Sequence, residues 1–291
     1  MTSSPVAQHA VPSRDILAAA ADLNRTSVSG PRLLARICDP QTDAREIRSL
    51  IEHDVHLTVR VLRIANSALY GRSRNISRVD QAITMLGLDA IRSVVVASGF
   101  RNNFGCMRSG GPIDHSEYYR HSIAVALAAE RLAKVRHPEL APNAFVAGLL
   151  HDYGVQIQAR LDTVGTQCLK KHLQNEASTD ASEVEASLTS VGHEECAMQV
   201  LKAWSFPEPI VTAAAWHHRP GLAPEAHRVL THLVNLADSI ACSNGAGFAY
   251  ELNRSPPDQQ VMQFLEITPD AVEELAISQP QLVNEFEQLL S

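Results

Sequence analysis

The sequence predicts an all-α protein, and three observations carry that expectation. Aromatic residues make up only 5% of the 291 residues while Ala and Leu abound, a composition that favours helix over sheet. Apolar residues recur at three- and four-residue spacing in most segments, often behind a capping residue. No segment reads as a strand, and there is no internal repeat or low-complexity tract.

Residues 1–12 are polar, carry Pro5 and Pro12, and read as a flexible arm. "RDILAAAADLN" is the first helix. Asp43 and Glu46 form a capping box ahead of Ile47, Leu50 and Ile51. The next helix carries Leu57, Val61, Ile64, Ala65 and Ala68 on one face and should stop at Gly71. Ser77 with Asp80 is a second capping signature, for "RVDQAITML"; Gly87 ends that helix and Asp89 opens "AIRSVVVASGF". Gly105, Gly110, Gly111 and Pro112 then break the pattern. This seam separates an N-terminal helical subdomain, 13–108, from a second one, 112–245.

Helices resume with Ser116 to Val135, whose face is Ile123, Leu127 and Leu132. "PNAFVAGLLHDYG" follows, with Pro142 suited to a first turn, then "VGTQCLKKHLQNEA", "EECAMQVLKAWSF", "PIVTAAAWHH" and "APEAHRVLTHLVNLADSIACS". Pro256 and Pro257 mark another loop. In the acidic segment 258–291, Thr268 as N-cap with Pro269 starts one helix, and "PQLVNEFEQLL" forms a last one.

The net charge of −7 argues against a broad nucleic-acid surface, which needs excess Lys and Arg to displace counterions. The sign is uneven. Eight Arg stand between Arg60 and Arg108 against Asp80 and Asp89, a face that is either simply solvated or able to meet phosphate or an acidic partner. No run of 18 apolar residues exists to span a membrane, and the start lacks a secretory pattern, so a cytoplasmic setting is expected. Cys38, Cys106, Cys168, Cys196 and Cys242 are odd in number, widely spaced and without a CxxC pair, as suits reduced thiols.

Of thirteen histidines, His9, His53, His137 and His172 stand in polar neighbourhoods and read as surface residues. His121, His151, His193, His217 and His218 instead lie in or at the ends of apolar segments, in the company of Asp152 and Asp238. Each alone has an ordinary reading as a hydrogen-bonded core residue, and His151-Asp152 alone reads as a helix end with Gly154 as the following turn. Together they imply more. A carboxylate buried in an apolar bundle costs several kcal/mol unless a cation offsets it. Imidazole nitrogen with carboxylate oxygen is the ligand set of zinc, iron, manganese or nickel. Adjacent helical residues point about 100° apart, so on regular helix His151 and Asp152 do not grip one ion together, and Asp152 is placed to bridge two. Glu117, four residues before His121, is a candidate for one further oxygen.

The order His121, His151-Asp152, Asp238 resembles the HD-domain metal-dependent phosphohydrolases, and His193 with His217-His218 matches the extra ligands of the two-metal branch that hydrolyses cyclic dinucleotides. Together, "DVHLTVRVLRIANSALYG", "VDQAITMLGLDAIRSVVV", "AFVAGLLHDYG", "GHEECAMQVLKAWSFPEPI" and "WHHRPG" resemble the HDOD domain, the HD-related output domain of bacterial signalling proteins, over roughly residues 25–245. That resemblance implies an N-terminal helical subdomain packed on an HD-like bundle and a regulatory role through a signalling partner or a nucleotide or phosphorylated ligand. It implies no generally established catalysis. The alternative is a phosphohydrolase or phosphodiesterase acting on a nucleotide or cyclic dinucleotide. There Asp152 is the bridging residue of a dinuclear centre, His217 or His218 completes the second ion, and Arg72 and Arg74 are candidates for phosphate. Two departures weigh against it: Val155 stands where that branch commonly has Lys, and "HHRPGLAPEA" lacks its Gly-Tyr-Pro block.

Overall fold

The computed structural model describes residues 11–23, 31–67, 76–104, 111–175, 181–248 and 256–290. All regular structure among them is helical. The first half holds α1 (Ser13–Leu23), α2 (Pro31–Cys38), α3 (Ala44–Glu52), α4 (Val55–Ala65), α5 (Val79–Leu86) and α6 (Leu88–Phe104). Half of the expected capping box is present: the Asp43 carboxylate accepts from the backbone N–H of Arg45 and Glu46, while the Glu46 carboxylate is taken by Arg36 at 2.8 Å. Asp54 likewise caps α4. The second expected cap is not formed. Helix α5 starts after Arg78 without a side-chain cap, and Asp80 instead pairs with Arg78 at 2.7 Å. Gly87, at φ 82°, turns the chain between α5 and α6. The expected stop at Gly71, the Arg72–Arg74 stretch, Cys106 and the seam from Gly105 to Gly110 lie outside the described residues.

Helices α2 to α6 pack on one another, whereas α1 lies on α9 (Tyr153–Leu161) and α12 (His193–Ala203). The second half is organised around α7 (His115–Arg136), in which Ser122 through Ala129 are buried in unbroken succession. Such a helix has neighbours on all sides. They are α6, α8 (Ala141–Leu150), α14 (Arg228–Ala241) and α16 (Pro269–Leu290). Gly148 makes the α7–α8 contact close enough: a Cβ there would lie 2.9 Å from Ala126 Cα. Helices α10 (Thr163–Asn175), α11 (Ala181–Leu188), α13 (Glu208–Trp216) and the short α15 (Gln259–Phe264) complete the array.

The acidic C-terminal segment differs from expectation in an informative way. After α15, it forms a single helix, α16, from Pro269 onward, which continues through Pro280 rather than restarting there. A proline in a helix lacks the N–H that would bond the carbonyl four residues back. Here that carbonyl, Ala276 O, accepts from Asn244 Nδ2 at 2.8 Å. Val272, Leu275, Gln279, Val283, Phe286 and Leu290 are buried at helical spacing, so α16 packs on the fold with its acids outward. Arg120 on α7 holds Glu287 at 2.7 Å.

Among the described residues no single helix is long and apolar enough to cross a membrane; only α5 and α6 together pass on composition, bent by 116°. Parts of the basic face are already engaged, since Arg60 donates to Ser98 O at 3.1 Å and Arg92 to Thr42 O at 2.8 Å.

Candidate metal centre

Six helices and their ends bring His121, His151, Asp152, His193, His217, His218 and Asp238 together. His121 projects from the second turn of α7, and Asp238 from the facing α14. The His-Asp pair lies where the sequence pattern ran a single helix, but α8 ends at Leu150 and α9 begins at Tyr153. Asp152, at φ −98° and ψ 14°, is out of helical register. The 100° argument therefore does not apply, and His151 Nε2 lies 3.3 Å from Asp152 Oδ2. Gly154 is not a turn residue. It sits in the first turn of α9, where a Cβ would strike the His193 carbonyl oxygen, so it sets how closely α12 approaches. His217 and His218 end α13, and Asn235 Nδ2 holds the His217 carbonyl at 2.7 Å.

The donors form two groups that share Asp152. On one side, His121 Nε2 lies 3.3 Å from His151 Nε2, 3.4 Å from Asp238 Oδ1 and 3.7 Å from Asp152 Oδ2. On the other, Asp152 Oδ1 lies 3.3 Å from His217 Nε2 and 3.6 Å from His193 Nε2, and His193 Nε2 is 3.1 Å from His218 Nε2. His121, His151, Asp152, His217 and Asp238 have no solvent exposure at all, and His218 is half-buried.

The outward-facing ring nitrogens decide what the inward ones can be. His121 Nδ1 contacts Ala246 O at 3.1 Å, His151 Nδ1 contacts Gly148 O at 2.7 Å and His217 Nδ1 contacts Ala214 O at 3.0 Å. A carbonyl only accepts, so each Nδ1 carries the proton and each neutral ring presents its Nε2 lone pair inward. Lone pairs then face one another and face Asp152, whose two oxygens are buried and have no hydrogen-bond partner among the described residues. Such an arrangement is repulsive unless protons or a cation occupy the centre. Two ligands bound about 2.1 Å from one ion lie roughly 3.0 to 3.4 Å apart for right to tetrahedral angles. Four of the donor spacings above, 3.1 to 3.4 Å, fall in that range and the other two, 3.6 and 3.7 Å, lie just beyond it, so the residues fit a divalent cation.

The proton affinities record the same tension. Burial pushes His121 down to about 4 despite Asp238 beside it. Burial also lowers His217. Burial pulls on His193 too, but the Glu185 carboxylate outweighs it and raises the ring to about 10. His151 is likewise raised by Asp152 against the pull of burial. The Asp152 carboxyl is held well below its ordinary range: burial opposes this, but His151 and His217 prevail. Without an ion, this cluster holds its carboxylates by keeping some imidazoles charged.

Glu117 does not join the site. It is exposed in the first turn of α7, where its N–H donates to the Asp114 cap, while Tyr118 takes the buried position. Of the histidines expected on the surface, His53 is exposed, His137 and His172 are half-buried, and His9 lies outside the described residues. Two contributors went unnoticed in the sequence. Glu185 on α11 accepts from His193 Nδ1 at 2.8 Å, from its backbone N–H at 3.0 Å and from Gln158 Nε2 at 2.5 Å. Cys242, four residues after Asp238, donates its thiol to Asp238 Oδ1 at 3.4 Å. The one sequence signal for Cys242 was its i, i+4 spacing; nothing marked Glu185.

The chain was compared with known proteins. It is similar over 97% of its length to the solved structure of an HDOD domain protein of unknown function from Geobacter sulfurreducens, with 93% of that chain covered, 26% identity and a TM-score of 0.71. A provisionally named signal transduction protein from Marinobacter aquaeolei VT8 shares the fold at 20% identity and a TM-score of 0.73, over 96% of this chain and 65% of that one. So does a provisionally named phosphohydrolase from Shewanella amazonensis SB2B, at 21% identity and 0.70, over 98% and 100%. An uncharacterized protein of Treponema pallidum (strain Nichols) is 23% identical over 203 residues, and the match spans 69% of this chain and only 38% of that relative's length. The HDOD domain model matches residues 29–220, and with this all-helical fold the chain belongs to the HDOD family.

Proposed function

We propose that this chain is a signal-transduction output module of the cytoplasm whose HD-like half holds two divalent transition-metal ions, iron, manganese, zinc or nickel, bridged by Asp152. It acts by binding a signalling protein partner or a phosphorylated ligand. The observation that carries the metal reading is the two-sided placement of Asp152, with Oδ2 toward His121 and His151 and Oδ1 toward His193 and His217, all buried. Two buried carboxylates and five imidazoles are an arrangement that ions stabilise and an empty core does not.

The surroundings favour binding over turnover. A cavity of about 350 Å³ adjoins the His193 side, and Glu185, Glu194 and Glu195 are among its lining residues. Its one Arg, Arg219, is engaged by Glu194 at 2.6 Å. Val155, where a Lys would meet phosphate, is fully buried. A phosphate anion entering here meets carboxylates, which disfavours turnover of a phosphate ester and makes a protein partner the better supported of the two ligands at this cavity.

The second reading, a phosphohydrolase or phosphodiesterase acting on a nucleotide or cyclic dinucleotide, is favoured by the completeness of the ligand set. Bound ions would supply an activated water and polarise a phosphoryl oxygen; Asp152 would hold them in register. Metal-loaded protein should be assayed on cyclic dinucleotides, nucleotides and a simple phosphodiester beside Asp152→Ala. The regulatory reading expects no turnover above that variant. Turnover that the substitution abolishes would establish the second reading.

A further inference from the structure

We propose that Cys242 is a ligand to the ion on the His121 side, and that this position consequently takes a thiophilic divalent ion such as zinc, iron(II) or cobalt(II) in preference to magnesium or manganese. The inference rests on the metal-centre reading and deepens it.

Four observations carry it. The Cys242 sulfur, an Asp238 oxygen and a His121 nitrogen all lie within 4.8 Å of one another, the span of donors that can share one ion. Asp238 and Cys242 are four residues apart and so lie on one face of the same helix. Helix α14 ends in a tight turn over Cys242–Ala246, where Gly245 at φ 74° reverses the chain. That turn presents the thiol at its first residue and, at its last, the Ala246 carbonyl that orients His121. Finally, the Asp152 carboxylate, fully buried and without a hydrogen-bond partner among the described residues, is aimed at His121, the residue this triad shares with the His151–Asp152 group, with Oδ2 3.7 Å from His121 Nε2.

Charge points the same way. Asp152 and Asp238 alone leave two dications underneutralised in a buried site, and a thiolate adds a third anionic donor. On binding, the S–H bond breaks, the proton now shared with Asp238 Oδ1 passes to solvent, and a sulfur–metal bond forms with no change of oxidation state. Soft sulfur donors select zinc and iron over magnesium and manganese.

Cobalt(II) tests this because thiolate ligation adds a near-ultraviolet charge-transfer band that imidazole and carboxylate ligands lack. The metal-free chain, titrated anaerobically with cobalt(II), should develop that band. It should vanish in Cys242→Ser, persist in Cys168→Ser and Cys196→Ser, and persist in a chain whose only cysteine is Cys242. Zinc affinity should fall in Cys242→Ser by about 10- to 100-fold, the range known for losing even a supporting group of a metal site, while manganese affinity stays nearly constant. Cobalt uptake without the band, or a band that survives Cys242→Ser, overturns the assignment and leaves the metal centre standing. No cobalt uptake overturns the centre and the ligand together.

Discussion

The two sides of Asp152 are built differently. On the His121 side His121, His151 and Asp238 are fully buried, backbone carbonyls fix both imidazoles, and the turn behind His121 is tied to α16 through Asn244. On the His193 side His217 is likewise held by the Ala214 carbonyl, but His218 is half-buried, His193 is oriented by the Glu185 carboxylate, and a cavity lies alongside. A backbone carbonyl brings no net charge to the ring it orients, whereas the Glu185 carboxylate raises the proton affinity of His193 to about 10. On the proposed metal reading, the first side would hold an ion as part of the fold and the second would exchange one with its surroundings.

The largest expected effect removes the residue the two sides share. Asp152→Ala should abolish binding of both ions and lower thermal stability of the metal-loaded protein to that of the metal-free protein, measured by metal analysis and thermal melts. Next, His121→Ala and His218→Ala should each drop the stoichiometry from two ions to one. The remaining ion should exchange slowly in His218→Ala and quickly in His121→Ala, as chelator-chase kinetics would reveal; equal rates would erase the distinction between the sides.

Glu185→Gln probes the carboxylate support. It should weaken the His193-side ion by about 10- to 100-fold. It should also change the pH dependence. Because the raised affinity of His193 keeps a proton on Nε2 below about pH 10, and an ion must displace that proton, binding on this side should strengthen as pH rises from neutrality toward 10. In Glu185→Gln the rise should end nearer the ordinary imidazole value, seen by titrating His121→Ala with and without the second substitution. His121, lowered to about 4, should add no pH dependence above that value on its own side.

The smallest effect lies farthest from the ions. Asn244→Ala removes the tie to Ala276 O and Gln279 Oε1. It should weaken the His121-side ion a few-fold and leave the other unchanged, since the backbone of the Cys242–Ala246 turn is only loosened. Calorimetric titration of this variant against wild type would check it.

Much of this centre could be read from sequence because a buried carboxylate needs a reason. Asp238 within an apolar helix, and His121 among alanines, violate the ordinary pattern of a core. His193, His217 and His218 follow from the same anomaly. The helix end at His151 is one of the two readings the sequence offers, but the immediate restart at Tyr153 with Gly154 inside the new helix is not legible, because tertiary packing against α12 decides where the backbone turns. Glu117 was drawn in by spacing alone, although Asp114 capping places it in a solvent-facing first turn. Glu185 was invisible because its partner lies on another helix and its own neighbourhood is unremarkable in polarity. Pro280 reads as a helix breaker until the partner for Ala276 O, Asn244, is supplied from a loop 32 residues away.

The central claim is that one carboxylate organises two metal positions. Elemental analysis of the purified chain, reconstituted with iron, manganese, zinc or nickel and freed of loosely bound metal, tests it most directly. The account expects two ions per wild-type chain and none in Asp152→Ala; a wild-type chain that retains no transition metal, or a variant that retains as much as wild type, would contradict it.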